Sequence, residues 1–423
     1  MWIKPGRLDL TYCTNIHSGE SWQEVRANIA SHCLSLKSSI SHQAAFGIGL
    51  RLSAAAAEEL LQGSELQNFK AFLDERGLYV ALINGFPYGS FNCGVVKSKV
   101  FAPDWREDSR VRYTLNLIRI LANLLPAGID GGISTMPLSY KPWISGDESE
   151  SKPWQQITAN LTHIAEVLVR LQRETGKIIH LDIEPEPDGL VENTAELIRF
   201  FNGPLTHVGV PLLAGLVGIS KKESKQCLFD HIRVCFDTCH ISVEYEDPID
   251  SFQKLADHGI GIGRIQVSSA LHVRLGKAAE IREQLLVQLK PFAESVYLHQ
   301  VIEQDIDFTL HHYPDLSDAL ASPPRPTSTE WRIHYHVPIF MGQYGSLSSN
   351  QQTNREVLSA VANSGITSHL EIETYTWDVL PSPLKIDLLP SIEREYRWVL
   401  NEIGFDQWNA ASESIQGKAI IHE

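Results

Sequence analysis

With 43% hydrophobic residues, 21% charged residues and nine Trp in 423 positions, the chain has apolar material for a sizeable core, which excludes a disordered or low-complexity protein. Its formal net charge of -15, with no run of five or more Lys or Arg, excludes nucleic acid as the main partner, because a phosphate backbone rewards basic patches. Six cysteines, Cys13, Cys33, Cys93, Cys227, Cys235 and Cys239, lie scattered without a CxxC pair, the pattern of reduced thiols in a cytoplasmic protein. The opening MWIKPGRLDL lacks the apolar stretch of a cleaved signal, and no uncharged apolar run of about 18 residues predicts insertion into a membrane.

Short apolar runs that end in polar or Gly/Pro-rich turns alternate with stretches of helical period. Strands are expected over residues 8–13, 46–52, 79–83, 129–135, 178–183, 232–236, 263–267 and 368–372. The first helix is expected over 21–34, where Ser21 and Glu24 stand at capping-box spacing and Trp22, Val25 and Ile29 share a face. Residues 110–125, 154–174 and 392–403 follow the same plan. Eight alternating units predict an α/β fold closed as a (β/α)8 TIM barrel, with its chemistry at the C-terminal ends of the strands. About a hundred residues separate strands seven and eight, more than one unit needs. Within them, 295–308 and 331–340 read as strands joined through a Pro-rich loop at 322–327. The expectation is a single domain over 1–423 in which residues 270–366 form an insertion over the catalytic face.

Strand five reads HLDIEPEP, so Asp182 and Glu184 point the same way by the period of two, and Pro185 fixes Glu184 at the exit. Strand eight reads HLEIETYTW and repeats that geometry with Glu371 and Glu373. Buried carboxylates are costly unless paired or bound to a cation; a salt bridge to a barrel Arg is the plain reading for any one of them. Strand six ends FDTCH, which places Asp237 at its exit and His240 three residues on. Three strands thus deliver Glu184, Asp237 and Glu373 to one mouth, and hard oxygen ligands with imidazole suit Mn²⁺, Mg²⁺, Co²⁺ or Zn²⁺. The insertion adds IHYHVP, with His334 and His336 on one face of a strand. Asn15 and His17 after strand one, and Asn84, Phe86 and Tyr88 after strand three, are the expected walls of a small-molecule pocket.

Taken together, E-P after strand five, D-x-x-H after strand six and Glu after strand eight make the chain resemble the xylose-isomerase-like barrels of the sugar isomerase and epimerase group. In the ketose 3-epimerases of that group a strand-five Glu, a strand-six Asp, a strand-seven His and a strand-eight Glu hold the metal. Glu184, Asp237 and Glu373 match three of these. Strand seven reads RIQVSS, with Gln266 in place of the His, so either Gln266 binds weakly or His336 takes over. More narrowly, LTYCTNIHSGESW, NGFPYG, HVPIF and ETYTW resemble the EboE family, barrels of a bacterial gene cluster serving metabolite traffic.

The resemblance implies a divalent-metal-dependent isomerase or epimerase acting on a small hydroxy-carbonyl metabolite. Glu184 and Glu373 would exchange the proton, and His240 would orient a substrate oxygen. Other readings are a metabolite-binding protein on the same barrel, a metal-dependent hydrolase, lyase or endonuclease, and a metal-free retaining glycosidase. A homo-oligomer is compatible with barrel edges, though no residue marks an interface.

Overall fold

The computed structural model describes all residues except 5–7, 42–43, 90, 92–94, 145–151, 323, 382–384, 386 and 406–423. Cys93 and part of the Pro-rich loop fall outside the described residues.

Strand β1 (Trp2–Lys4) runs antiparallel to β2 (Leu8–Tyr12). After it come β3 (Phe46–Arg51), β4 (Leu78–Asn84), β5 (Gly131–Thr135), β6 (Ile179–Ile183), β7 (Ile232–Asp237) and β8 (Ile262–Val267), with β15 (His369–Ile372) closing the series. The order β1-β2-β15-β8-β7-β6-β5-β4-β3 is parallel from β2 onward, and a parallel bridge between Cys13 and Gly49 joins its two ends. The fold is a (β/α)8 barrel whose strands one to eight are β2 to β8 and β15. Near-continuous burial along these strands is what a parallel sheet covered by helices requires.

The helices arise where the apolar period predicts them, with boundary differences. The capping box at Ser21 and Glu24 opens helix Trp22–Asn28, but the helical run continues through a π-helical stretch, Ile29–Cys33, into Leu34–Ile40. Helices Asp108–Leu124, Lys152–Thr175 and Leu388–Glu402 match the other expectations to within a few residues. One helical run, Thr194–Val217, is long and apolar enough by composition to cross a membrane, which the search for uncharged runs missed because Glu196 and Arg199 interrupt it. Leu197, Phe200, Phe201, Leu205, Val210 and Leu213 bury one side of it in the core, while Leu212 and Leu216 are exposed.

The barrel interior is not filled by branched apolar side chains at mid-depth. Arg264 on β8 lies fully buried between Asp182 (3.1 Å) and Glu371 (3.0 Å) and also donates to the Ile83 carbonyl. Glycines make room for these carboxylates. A Cβ at Gly49 would stand 1.6 Å from Glu371 Oε1, and one at Gly263 would stand 1.9 Å from Asp182 Oδ1.

Between β8 and β15 a second, antiparallel sheet forms from β9 (Leu271–Arg274), β10 (Val301–Asp305), β11 (Leu310–Tyr313), β12 (Ser328–Ile333), β13 (Gln343–Tyr344) and β14 (Leu347–Ser349). Its order is β11-β10-β12-β9-β14-β13. The two strands expected here are shorter than the sequence suggests, and four more join them. His334 and His336 lie just past the end of β12, not within a strand. The segment carrying them is tied to the barrel: Val337 N–H donates to Ser269 O, and Gln300 Nε2 donates to Pro187 O after β6.

Glu395 on the last helix fastens this segment to the strand-eight loop, accepting from Thr374 Oγ1 (2.7 Å) and from Ile339 N (3.3 Å). Burial pushes its carboxyl up to about 7, from an ordinary 4.5. Between those two pH values the folded chain keeps a proton that the unfolded chain has released, so stability falls as pH rises through the window. Glu395→Gln keeps an acceptor without a charge. The expected result is a variant more stable than wild type by about 2 to 3 kcal/mol at pH 8 and nearly equal to it at pH 4.5, measured by urea denaturation at both.

Candidate metal centre and substrate throat

Three carboxylates meet at the C-terminal mouth. Glu184 follows β6, Asp237 ends β7 and Glu373 follows β15, and a carboxylate oxygen from each lies within 4.8 Å of the others. All three are buried. Local structure aims each one. Asp237 caps helix Thr238–Val243, with Oδ1 accepting from Cys239 N (2.7 Å), His240 N (3.1 Å) and Ser268 Oγ (2.6 Å). Glu373 Oε1 accepts from Asn15 Nδ2 (2.7 Å) and Asn84 Nδ2 (3.0 Å). The remaining Asp237 Oδ2 and Glu184 Oε2 are buried without a hydrogen-bond partner.

Burial raises Glu184 well above the usual carboxylate range, and Glu373 and Asp237 beside it raise it further. Glu373 is raised the same way, by burial and then by Asp237 and Glu371. Burial also opposes ionisation of Asp237, but His240, His336 and the Ser268 hydroxyl outweigh it and hold that carboxyl below its ordinary value. At neutral pH the imidazoles themselves are uncharged: burial lowers His240, lowers His334 far below the ordinary histidine value, and brings His336 down to about 4. Buried like charges without a counter-cation are costly. Orphaned carboxylate oxygens with buried imidazole nitrogens beside them are a donor set that fits a divalent cation.

The sequence-expected residues divide into those the fold brings together and those it sends elsewhere. Asn15, Asn84, Phe86, Glu184, His240, His334 and Glu373 line one throat of about 490 Å³, counted to its open mouth. His336 joins them from below, with a ligand atom within 4.8 Å of one on Asp237 and one on His240. Gln266 is in register with Asp237 on β7 and Glu371 on β15, but its Oε1 accepts the Cys235 thiol at 2.8 Å, and the strand-seven side chain hydrogen-bonded to Asp237 is Ser268. His17 turns away to Tyr12 (3.1 Å) and stacks on His32. Tyr88 packs on Tyr113 and Arg110 and lines a neighbouring cavity. Asp182 and Glu371 are the carboxylates that pair with a barrel Arg.

The sequence reading missed several lining residues. Phe91, Tyr297 and Tyr375 pack ring to ring with centroids 5.1 to 5.2 Å apart, forming an aromatic wall above the carboxylates. Tyr375 stands two positions after Glu373, so the period of the strand exit could have found it; Tyr297 comes from the insertion and has no such signal. Glu186, the second Glu of EPEP, also lines the throat, and burial pushes its carboxyl up to about 8. Lys97 is the cation of the wall among the described residues, and it is paired with Asp315.

No family model matches the chain. No curated protein matches it either, so the narrower likeness to EboE stays a resemblance of four short phrases. Among solved structures the chain is similar to the IOLI protein described with a zinc atom, at 10% identity over 94% of this chain and 98% of that one, with a TM-score of 0.45. It is also similar to a xylose-isomerase-like TIM barrel protein from Mycobacterium smegmatis in complex with magnesium, at 11% identity over 94% and 96%, with a TM-score of 0.47. A glycoside hydrolase family 18 N-acetylglucosaminidase from Paenibacillus barengoltzii aligns over 92% and 99% at 11% identity, with a TM-score of 0.30. Likenesses of this strength say nothing of the site, and the barrel stands on its own strand order.

Proposed function

We propose that the chain is a divalent-metal-dependent isomerase or epimerase acting on a small hydroxy-carbonyl metabolite, in a metabolite-traffic pathway of the EboE kind. The observation that carries this reading is the group of Glu184, Asp237 and Glu373 with two orphaned oxygens at the floor of a throat. The four phrases that resemble EboE support the pathway. On this reading residues 270–366 belong to the same domain as the site, and the protein works in the cytoplasm on a small molecule without nucleic acid or membrane insertion.

Glu184, Asp237 and Glu373 would hold the ion. A bound divalent cation supplies electrostatic stabilisation where charge develops on adjacent substrate oxygens. The protein's own groups do the rest. Glu184 Oε2 is free of hydrogen bonds, so it is the atom placed to take a proton from a carbon beside a carbonyl. Glu373 Oε1 is held by two amides, which fixes its carboxyl while it returns a proton from the opposite side. His240, steadied by its Nδ1 at 2.9 Å from Pro185 O, orients a substrate oxygen. The aromatic wall of Phe91, Tyr297 and Tyr375 keeps water from the exposed carbanion.

The test is proton exchange with solvent. The manganese-loaded protein, incubated in deuterated water with a panel of ketoses and ketose phosphates, is expected to place deuterium beside the carbonyl of one of them, read by mass spectrometry. A ketose that binds with a thermal shift yet takes up no deuterium would replace this reading with that of a metabolite-binding protein.

A further inference from the structure

Three histidines stand at the throat floor, and in each the Nδ1 atom is committed. His240 Nδ1 lies 2.9 Å from Pro185 O, His334 Nδ1 lies 2.7 Å from Gln300 Oε1, and His336 Nδ1 lies 3.1 Å from Glu373 O. The Gln300 amide is oriented by its own nitrogen, which donates to Pro187 O at 2.8 Å and faces Glu186 Oε1 at 3.3 Å, so Oε1 is the atom turned to His334. A carbonyl oxygen accepts and never donates, so each Nδ1 carries a proton, and each neutral ring presents an Nε2 lone pair.

Those lone pairs converge. His240 Nε2 and His334 Nε2 stand 3.1 Å apart, and His336 Nε2 is buried without a hydrogen-bond partner. The Tyr375 hydroxyl, 3.3 Å from His334 Nε2, can donate to that one nitrogen and leaves the other two unanswered. Asp237 stands beside two of them: a ligand atom from each of Asp237, His240 and His336 falls within 4.8 Å of the others, and Cys239, His334 and His336 form a second such group that overlaps it at His336. Glu184 and Glu373 group with Asp237; Glu184 Oε1 also lies 3.9 Å from His240, but from Nδ1, the nitrogen committed to Pro185 O. The donors therefore fall into two adjacent groups, one of hard oxygens and one of nitrogens, with Asp237 common to both.

We infer that the throat binds a second divalent cation, of the borderline class that imidazole prefers, zinc or cobalt, on Nε2 of His240, His334 and His336 with a carboxylate oxygen of Asp237. His240 Nε2 and His334 Nε2, 3.1 Å apart, have the spacing of neighbouring ligands around an ion with bonds of about 2.0 to 2.1 Å, and Asp237 Oδ1 lies 4.0 Å from His240 Nε2. An outer N–H donated to a carbonyl is the arrangement that orients metal-ligating histidines, and all three rings have it. Carboxylates select magnesium or manganese and imidazoles select zinc, so the two positions differ in preference. The inference rests on the carboxylate reading only through Asp237.

The experiment is a metal count on wild type, His334→Ala, His240→Asn and Glu184→Gln, each equilibrated with equal Mn²⁺ and Zn²⁺, stripped of loose ions by gel filtration and checked for folding by circular dichroism. The expected result is two ions per chain in wild type and one in each of the three variants, the ion kept by Glu184→Gln being Zn²⁺. Should either histidine variant misfold, Co²⁺ titration of wild type, followed by its visible absorption, is expected to show two successive binding steps. A single ion that leaves with Glu184→Gln and ignores both histidines overturns the second site and spares the first. A single ion that follows the histidines and ignores Glu184 overturns the carboxylate reading and keeps this one. Joint loss of both ions in a folded histidine variant overturns the separateness of the two positions, and a metal-free wild type overturns both readings.

Discussion

Glu184→Gln is expected to lower the protein's affinity for Mn²⁺ by at least about 100-fold while making the metal-free chain more stable. Losing an outer-sphere partner of a metal site already costs about 10- to 100-fold in affinity, and Glu184 is a donor itself. The opposite sign of the stability effect comes from burial. The Glu184 carboxyl is raised by desolvation and by Glu373 and Asp237, so without a cation its ionisation is resisted, and a neutral amide of the same shape removes that resistance. A gain of about 1 to 3 kcal/mol at pH 8 in the presence of chelator is the expected size.

Asp237→Asn separates the two effects. Its carboxyl is held below the ordinary value by His240, His336 and Ser268 against the opposing effect of burial, and its Oδ1 takes three donors. The uncharged amide accepts these more weakly, so this variant loses metal and also loses about 1 to 3 kcal/mol of metal-free stability. Metal content by inductively coupled plasma mass spectrometry and urea denaturation in chelator check both variants. Equal destabilisation of the two would mean that Glu184 is a structural group and would count against a cation at this mouth.

Arg264→Ala is expected to have the largest effect on folding of any single substitution in the barrel. The guanidinium is fully buried and is the cation between Asp182 and Glu371, whose carboxylates also lie fully inside. Removing it leaves Glu371 without a counter-charge and Asp182 with the His180 Nδ1 contact alone in a low-dielectric interior, a loss of about 3 to 5 kcal/mol. Glycines at 49, 132 and 263 are cut to fit these carboxylates, so the cavity has no side chain at hand to collapse into it. Arg264→Ala combined with Asp182→Asn and Glu371→Gln is expected to recover most of the loss, because the neutral amides no longer need the cation. Urea midpoints of the single and triple variants measure this. A triple variant as unstable as the single one would show that packing, not charge, is what Arg264 supplies.

The division between what the chain's order of residues determined and what folding decided runs along the range of each interaction. Strand and helix periodicity is local, so the eight strands, the capping box at Ser21 and the exits at Glu184, Asp237 and Glu373 were legible from neighbouring residues alone. The period of two also told which side Asp182 and Glu371 face, but not that Arg264 would stand between them, because that depends on strand register across three segments of chain. The same limit explains Gln266. Its place in the sequence suits a ligand and its backbone is in register with Asp237, yet its side-chain Oε1 is taken by the Cys235 thiol. His17 and Tyr88 sit in loops whose local sequence cannot say which way they turn, and the structure turns both from the throat. The insertion was legible as extra length, but its six-stranded sheet, the partner of each imidazole, and the aromatic wall completed by Tyr297 come from contacts between residues far apart in the chain. Only the closed tertiary structure brings His336 to Asp237 and His334 to His240, because the pairing of β12 with β9 and β10 places the residues that follow it at the mouth of the barrel.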